Sequence, residues 1–191
     1  MVWNFNDPKN AHTAQRTRIA GWFIASLAAV AAVLPLLQPA HAAGTISALL
    51  LLAGAAEVAA GATRHQTRKL AMLAGVATVV AGLIFLTDAA VQFLPSVIVI
   101  TGWLLLRSLI LAVACGLEGG SVRVWTGLSA ATDFLLALSL GVGLSVSTLI
   151  VSLFGVTPEL IASFAWVLAL SFVVTAVLLI QVARCGLTDD V

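Results

Sequence analysis

Long apolar runs alternate with short polar connections along almost the whole chain. A membrane-spanning helix needs about 20 mainly apolar residues, because the hydrocarbon core of a bilayer is about 30 Å thick. Apolar runs of roughly 18 to 23 residues recur along the sequence, so the pattern predicts an all-α, polytopic membrane protein with six transmembrane helices. The predicted helices cover residues 19–37, 44–62, 70–87, 93–115, 123–144 and 158–184.

The same pattern predicts the domain organisation. Residues 1–18 are polar and are expected to form a cytoplasmic N-terminal tail, residues 19–184 a single transmembrane domain, and residues 185–191 a short cytoplasmic C-terminal tail. The stretch 145–157 is apolar but rich in Ser and Thr. It has three interpretations: it extends the fifth helix, lies in the outer interface, or forms a re-entrant turn. The first apolar run is longer than the roughly 7 to 15 residues of a signal peptide, which indicates a retained helix.

Composition and charge indicate the class of protein and its orientation. Of the 191 residues, 61% are apolar and 9% are charged, against about 25% charged residues in ordinary soluble domains. The net charge of +1 gives no reason to expect a nucleic-acid partner. Eight of the nine Lys and Arg residues lie in the N-terminal tail, the connection between helices two and three, the start of helix five and the end of helix six. The positive-inside rule therefore predicts that both termini are cytoplasmic.

Two ionisable residues lie deep inside apolar runs on either side of a predicted inner loop at 116–122. Arg107 is 13 positions before Gly120 and Asp133 is 13 positions after it, so antiparallel helices would bring both charges to the same depth. A charge in hydrocarbon is costly, and such residues usually pair or face a bundle interior. Three alternatives stay open: a structural clamp, a proton or ion pathway, or no contact. Glu57, the third intramembrane charge, joins the Arg107 cluster, is protonated, or reaches back to the inner interface.

The six predicted helices show a threefold internal pattern. Each of three hairpins has a helix running outward, a tight outer turn and a helix running back, with a period of about 55 residues. The first two outer turns are Gln38-Pro39-Ala40 and Thr87-Asp88-Ala89, and the second and third returning helices both end in Cys-Gly-Leu. Such a repeat is typical of a duplicated hairpin, and in transporters it encloses a site near the bilayer midplane.

The chain resembles the HdeD family in three stretches. These are Gly102-Trp-Leu-Leu-Leu-Arg107 in helix four, the interval from Pro39 to Gly54 followed by Glu57-Val58, and Trp125 at the start of helix five. The resemblance covers about residues 21 to 184 and departs from the family pattern at Asp88, where a proline is usual, and in the long segment from Gly143 to Pro158. It implies a small bacterial inner-membrane protein with six helices in three hairpin repeats. It also implies a role in membrane stress tolerance, acid stress included.

The sequence carries no signature of a catalytic, cofactor-binding or metal site. The histidines are scattered rather than clustered at metal-ligand spacing, no Gly-rich loop joins a strand to a helix, and no Ser has a neighbouring His. We therefore expect a protein that is not an enzyme. The ionisable residues expected on the outer face, which would meet an acidified periplasm directly, are His41, Asp88 and Glu159.

Three functions fit these observations. The first is a role in membrane or acid stress tolerance, as the HdeD resemblance implies. The second is a small transporter or proton pathway that uses a cluster of Glu57, Arg107 and Asp133, for which a water-filled cavity joining that cluster to one face would be evidence. The third is an accessory subunit of a larger membrane complex. The expected partners are the lipid bilayer and either a second copy of the chain or another membrane protein.

Overall fold

A computed structural model describes residues 8–33, 42–64, 67–87, 96–154 and 158–188 of the chain. These residues form six α-helices and no strand. The helices are α1 (Pro8–Val33), α2 (Ala42–Gly61), α3 (Arg68–Leu86), α4 (Ser96–Leu117), α5 (Gly120–Phe154) and α6 (Pro158–Thr188). Each contains a stretch of 18 to 23 residues that is long and apolar enough to cross a membrane. The prediction of an all-α fold with six such helices is confirmed, and the fold is consistent with an integral membrane protein.

Three helices extend more than two residues beyond the bounds that the apolar pattern predicted. α1 begins at Pro8, so residues 8–18 of the predicted tail belong to a helix, and α6 continues past the predicted end to Thr188. α5 continues to Phe154, so most of the stretch 145–157 extends helix five. The apolar pattern marks only the part of a helix that a bilayer requires. Backbone hydrogen bonds from each residue to the fourth before it continue through polar residues as well.

The turn between α4 and α5 is tighter than the predicted inner loop. Only Glu118 and Gly119 lie outside the two helices, and the Glu118 N–H still donates to the Ala114 carbonyl oxygen at 3.0 Å. Gly120 has a φ of 61°, in the left-handed region that glycine adopts without strain. The chain therefore reverses at the predicted pair of glycines within two residues.

The helices pack in a closed ring in chain order, because α6 also packs against α1. The most extensive packing joins α2 with α3, α4 with α5, and α1 with α6. We call the end of the bundle at residues 62–64, 67 and 118–119 the basic end, since Arg64, Arg68, Lys69 and Arg123 lie there. Thr17 Oγ1 is 3.1 Å from Thr63 Oγ1, so α1 also enters at the basic end. The predicted outer turns around Pro39 and Asp88 lie outside the described residues.

Glycines allow α2 and α3 to approach closely. A Cβ atom at Gly54 would lie 2.7 Å from the backbone N of Val79, and a Cβ atom at Gly75 would lie 2.7 Å from the backbone N of Val58. Both distances are shorter than real Cβ contacts, so the helix spacing depends on the missing side chains. A Cβ atom at Gly75 would also lie 3.0 Å from the Cβ of Glu57. The close approach of α2 and α3 at Gly75 therefore restricts the position of the Glu57 side chain.

The apolar core contains residues from all six helices. The largest cluster includes Ile24, Leu50, Phe85, Leu104, Ala137 and Phe172. Large apolar side chains such as Leu106, Leu109 and Leu135 are exposed on the outside of the bundle. Because lipid tails are as apolar as these side chains, such a surface suits a protein surrounded by bilayer rather than by water.

Candidate functional site

Arg107 is the centre of a buried polar cluster inside the bundle. It lies ten positions before the end of α4 at Leu117, which is about 15 Å at ~1.5 Å per residue and therefore close to half of a membrane span. Its Nη1 lies 2.6 Å from Asp133 Oδ2, and its Nη2 lies 2.9 Å from Glu57 Oε1. The side chains of Glu57, Arg107 and Asp133 are 7%, 2% and 1% exposed. We call these three residues the buried triad; it joins α2, α4 and α5.

Two hydroxyl groups of α6 complete the surroundings of the guanidinium. Arg107 Nη1 also donates to Ser171 Oγ at 3.1 Å, and Nη2 donates to Thr175 Oγ1 at 2.6 Å. Ser171 Oγ in turn donates to Asp133 Oδ1 at 2.8 Å, and Thr175 Oγ1 donates to the Ser171 carbonyl oxygen at 2.8 Å. The four N–H groups at the two Nη atoms therefore all have acceptors, and α6 is tied to the triad.

Glu57 has one weakly bonded carboxyl oxygen. Its Oε1 accepts from the guanidinium, but the partner of Oε2 among the described residues is the Thr78 hydroxyl at 3.3 Å. The same hydroxyl lies 3.2 Å from the Ala74 carbonyl oxygen, and a hydroxyl has a single proton to donate. Thr78 Oγ1 also accepts a hydrogen bond from Trp103 Nε1 at 3.2 Å. The Thr78 proton therefore has two acceptors and can serve only one of them well.

The buried triad has more carboxyl groups than cations. With both carboxyl groups ionised, two negative charges surround one guanidinium and the net charge is −1. An uncompensated charge in a protein interior costs several kcal/mol, about as much as breaking a buried ion pair. The site therefore favours uptake of a positive charge, such as a proton, at one of its carboxyl groups.

A second polar cluster lies at the basic end. Glu118 Oε1 accepts from Arg64 Nη1 at 2.8 Å and from Thr67 Oγ1 at 2.6 Å, and Oε2 accepts from the Thr126 hydroxyl. The side chains of Arg64 and Glu118 are 11% and 5% exposed. The cluster connects the α4–α5 turn with the start of α3. The sequence did not reveal it, because Glu118 lies in a short polar turn and Arg64 is 54 positions away.

One face of α5 runs from this cluster to the buried triad. Thr126, Ser129 and Asp133 follow one another at spacings of three and four, which place side chains on the same helix face. All three residues are 0% exposed. The Ser129 hydroxyl has no hydrogen-bond partner among the described residues. Buried hydroxyls are normally bonded to protein or to an ordered water, so this face of α5 is a suitable place for internal water.

A cavity between α4 and α5 does not reach the triad. Its volume is about 590 Å³, and its lining is mainly apolar and includes Leu105, Leu109, Ala112 and Phe134. These side chains are exposed on the outer surface of the bundle. No residue of the buried triad lines this cavity, so it does not provide the connection from the triad to one face that a transporter would need.

The structure describes only part of the predicted set of ionisable residues. It brings Glu57, Arg107 and Asp133 together, whereas His41 and Asp88 lie outside the described residues. Glu159 belongs to α6, but its side chain is not among those described. In the described part of the chain, no group of three His, Cys, Asp or Glu side chains is placed to hold a metal ion.

Comparison with known proteins leaves the family open. No family model, no curated protein and no solved structure matches the chain. The resemblance to the HdeD family therefore stays a prediction from the motifs quoted above.

Proposed function

We propose that this chain is a non-enzymatic integral protein of the bacterial inner membrane with a role in tolerance of membrane stress, acid stress included. The observation that carries this proposal is the buried triad, in which two carboxyl groups share one guanidinium inside a ring of apolar helices. One added proton balances the charge of this interior. A bundle whose buried charges become balanced on protonation suits a membrane that is exposed to acid, as the HdeD resemblance also implies.

The distribution of basic residues supports an orientation with both termini in the cytoplasm. The basic end carries Arg64, Arg68, Lys69 and Arg123, and α1 enters the bundle at the same end. Cytoplasmic loops of membrane proteins carry an excess of Lys and Arg. The three most extensively packed helix pairs, α2 with α3, α4 with α5, and α1 with α6, join neighbouring predicted hairpins and alternate around the ring with the less packed pairs within each hairpin, and this alternation suits a threefold repeat. Lipid is the proposed partner of the exposed apolar surface.

The acid-stress role is tested by survival of a deletion strain at low pH. We expect the deletion to lower survival and the wild-type gene to restore it. Arg107→Leu, compared at equal protein level in the membrane, should fail to restore it, because the variant leaves two buried carboxyl groups without their cation. The Asp88→Asn, His41→Gln, Glu159→Gln triple variant is the matched comparison for the outer face and should restore survival. Equal survival of the deletion and wild-type strains would eliminate the acid-stress role.

A proton pathway is a second candidate function, favoured by the buried polar face of α5. Thr126 is bonded to Glu118 at the basic end, Asp133 is bonded to Arg107, and the Ser129 hydroxyl lies between them without a described partner. Water at Ser129 would connect the two clusters by hydrogen bonds.

The pathway is tested with purified protein in liposomes that contain a pH-sensitive dye. We expect acidification of the lumen under an inward proton gradient, and slower acidification with Ser129→Val. Ser139→Val, on the exposed side of α5, is the matched control and should acidify like the wild type. A rate equal to that of protein-free liposomes would exclude a proton pathway.

A further inference from the structure

We propose that Glu57 is the proton-binding residue of the buried triad, and that its proton lies on Oε2 and is donated to Thr78. The inference names the site at which the proposed acid response would begin and therefore rests on that proposed function. The Oε2 atom lies 3.3 Å from Thr78 Oγ1, and the Glu57 side chain is 7% exposed.

Hydrogen-bond accounting around Thr78 favours a neutral Glu57. If Glu57 is ionised, the single Thr78 proton has two acceptors, Glu57 Oε2 at 3.3 Å and the Ala74 carbonyl oxygen at 3.2 Å. If Oε2 carries a proton, that proton is donated to Thr78 Oγ1, and the Thr78 hydroxyl donates to Ala74. Thr78 Oγ1 then accepts from both Glu57 and Trp103, which uses its two lone pairs. Protonation of Glu57 Oε2 thus gives the hydroxyl of Thr78 one acceptor for its proton and gives Oε2 a hydrogen-bond partner of its own.

Asp133 is the ionised member of the triad by the same accounting. Each of its carboxyl oxygens accepts a short hydrogen bond, Oδ2 from Arg107 at 2.6 Å and Oδ1 from Ser171 at 2.8 Å. The Ser171 proton has no second acceptor among the described contacts, in contrast to the Thr78 proton. Arg107 and Asp133 therefore form a neutral ion pair, and the second carboxyl group is the one that needs a proton.

The charged groups that face Glu57 come from two helices. Arg107 of α4 contacts its Oε1, and Asp133 of α5 lies on the other side of the same guanidinium. The helices packed against α2 are α1, α3 and α6, and their described ionisable side chains are all exposed; they are His12, Arg16, Arg18, Arg68, Lys69 and Arg184. Among the described residues, no charged side chain of these three helices is therefore buried beside Glu57 to balance its charge.

Protonation involves one bond and one hydroxyl rotation. A proton from water adds to Glu57 Oε2, and the charge of the triad changes from −1 to zero. The Thr78 O–H turns from Oε2 toward the Ala74 carbonyl oxygen, which is already within 3.2 Å. The Arg107–Asp133 contact and the hydroxyl groups of α6 keep their partners.

Infrared difference spectroscopy of the full-length protein in detergent tests this assignment. We expect the low-pH minus neutral-pH difference spectrum of the wild type to show the carbonyl band of a buried protonated carboxylic acid, and that of Glu57→Gln to lack it. Glu118→Gln, at the other buried glutamate, should retain the band. Absence of this band from the wild-type spectrum would overturn the proposal.

A matched pair of hydroxyl variants identifies which carboxyl group carries the proton. Thr78→Val removes the partner of Glu57 Oε2 and should shift the band, whereas Ser171→Ala removes a partner of Asp133 and should leave it in place. The opposite result, a shift with Ser171→Ala alone, would assign the proton to Asp133. Thermal unfolding verifies that each variant is folded. These spectra do not depend on acid survival, so a protonated Glu57 with unchanged survival would reject the stress role and retain the proton site.

Discussion

Arg107 Nη1 lies 2.6 Å from Asp133 Oδ2, although 26 positions separate the two residues along the chain. The contact forms because α4 and α5 are antiparallel and both residues are 13 positions from Gly120. Apolar side chains can pack in several similar registers of neighbouring helices. The ion pair between Arg107 and Asp133 forms in only one of these registers. We therefore expect the pair to fix the register of α4 and α5, and the contact with Glu57 to extend this effect to α2.

Removal of one member of this pair should destabilise the bundle strongly. Arg107→Leu leaves Asp133 as a buried charge without its cation, which commonly costs about 3–5 kcal/mol, whereas Asp133→Leu should cost less because the Glu57 carboxylate still balances Arg107. The double variant removes both charges and leaves Glu57, which can be neutral, so it should recover much of the loss. The measurement is the free energy of unfolding in detergent for the wild type, both single variants and the double variant. Additive losses in this cycle would show that the two residues do not interact.

A methyl group at Gly75 should separate α2 from α3. Its Cβ would lie 2.7 Å from the Val58 backbone N and 3.0 Å from the Glu57 Cβ. Gly75→Ala should therefore lower the free energy of unfolding by about 1–3 kcal/mol, as is typical of overpacking. Gly102→Ala is the matched control, since no atom lies within 4 Å of a Cβ there. This control should be neutral or stabilising by up to about 1 kcal/mol. Equal effects of the two substitutions would contradict the close packing of α2 and α3.

Loss of the Glu118 carboxylate should loosen the basic end. Glu118→Ala removes the acceptor for Arg64, Thr67 and Thr126. Because hydrogen bonds to charged groups contribute about 1.5–3 kcal/mol, we expect a loss in this range and faster amide hydrogen exchange at Arg64 and Thr67. Glu118→Gln retains an acceptor oxygen and should show a smaller effect in both measurements. Unchanged exchange at Arg64 and Thr67 in the alanine variant would show that the cluster does not stabilise these two residues.

Topology is testable by cysteine labelling in a chain whose two native cysteines are replaced by alanine. Cysteines at Arg68 and Gly119, both exposed at the basic end, should be shielded from an impermeant thiol reagent in intact cells. Cysteines at Ala40 and Ala90, in the predicted outer turns, should react. Cells with permeabilised inner membranes provide the control, in which all four positions should be labelled. Reaction at Arg68 in intact cells would reverse the orientation.

Part of the site was predictable because charged residues are conspicuous in apolar helices. Arg107 and Asp133 are equally far from Gly120 along the chain, which predicts that they lie at the same depth. Glu57 is the one ionisable residue within its own apolar run, residues 44–62. The hydroxyl groups around them were missed, since Ser and Thr are common in membrane helices and cost little there. Ser171 and Thr175 carried a faint signal, namely a spacing of four that places both on one helix face.

The sequence by itself determined that the chain forms six apolar helices, because the length of an apolar run is a direct match to the thickness of a bilayer. It also determined where α4 and α5 reverse, since glycine is the residue that accepts a positive φ at Gly120. Only the tertiary structure decided that α6 closes the ring against α1 and that Glu57 shares the guanidinium with Asp133. It also decided that Thr78, Ser171 and Thr175 bond to the triad. These contacts join helices that are far apart in the chain. Their partners depend on helix rotation and spacing, which apolar periodicity alone does not specify.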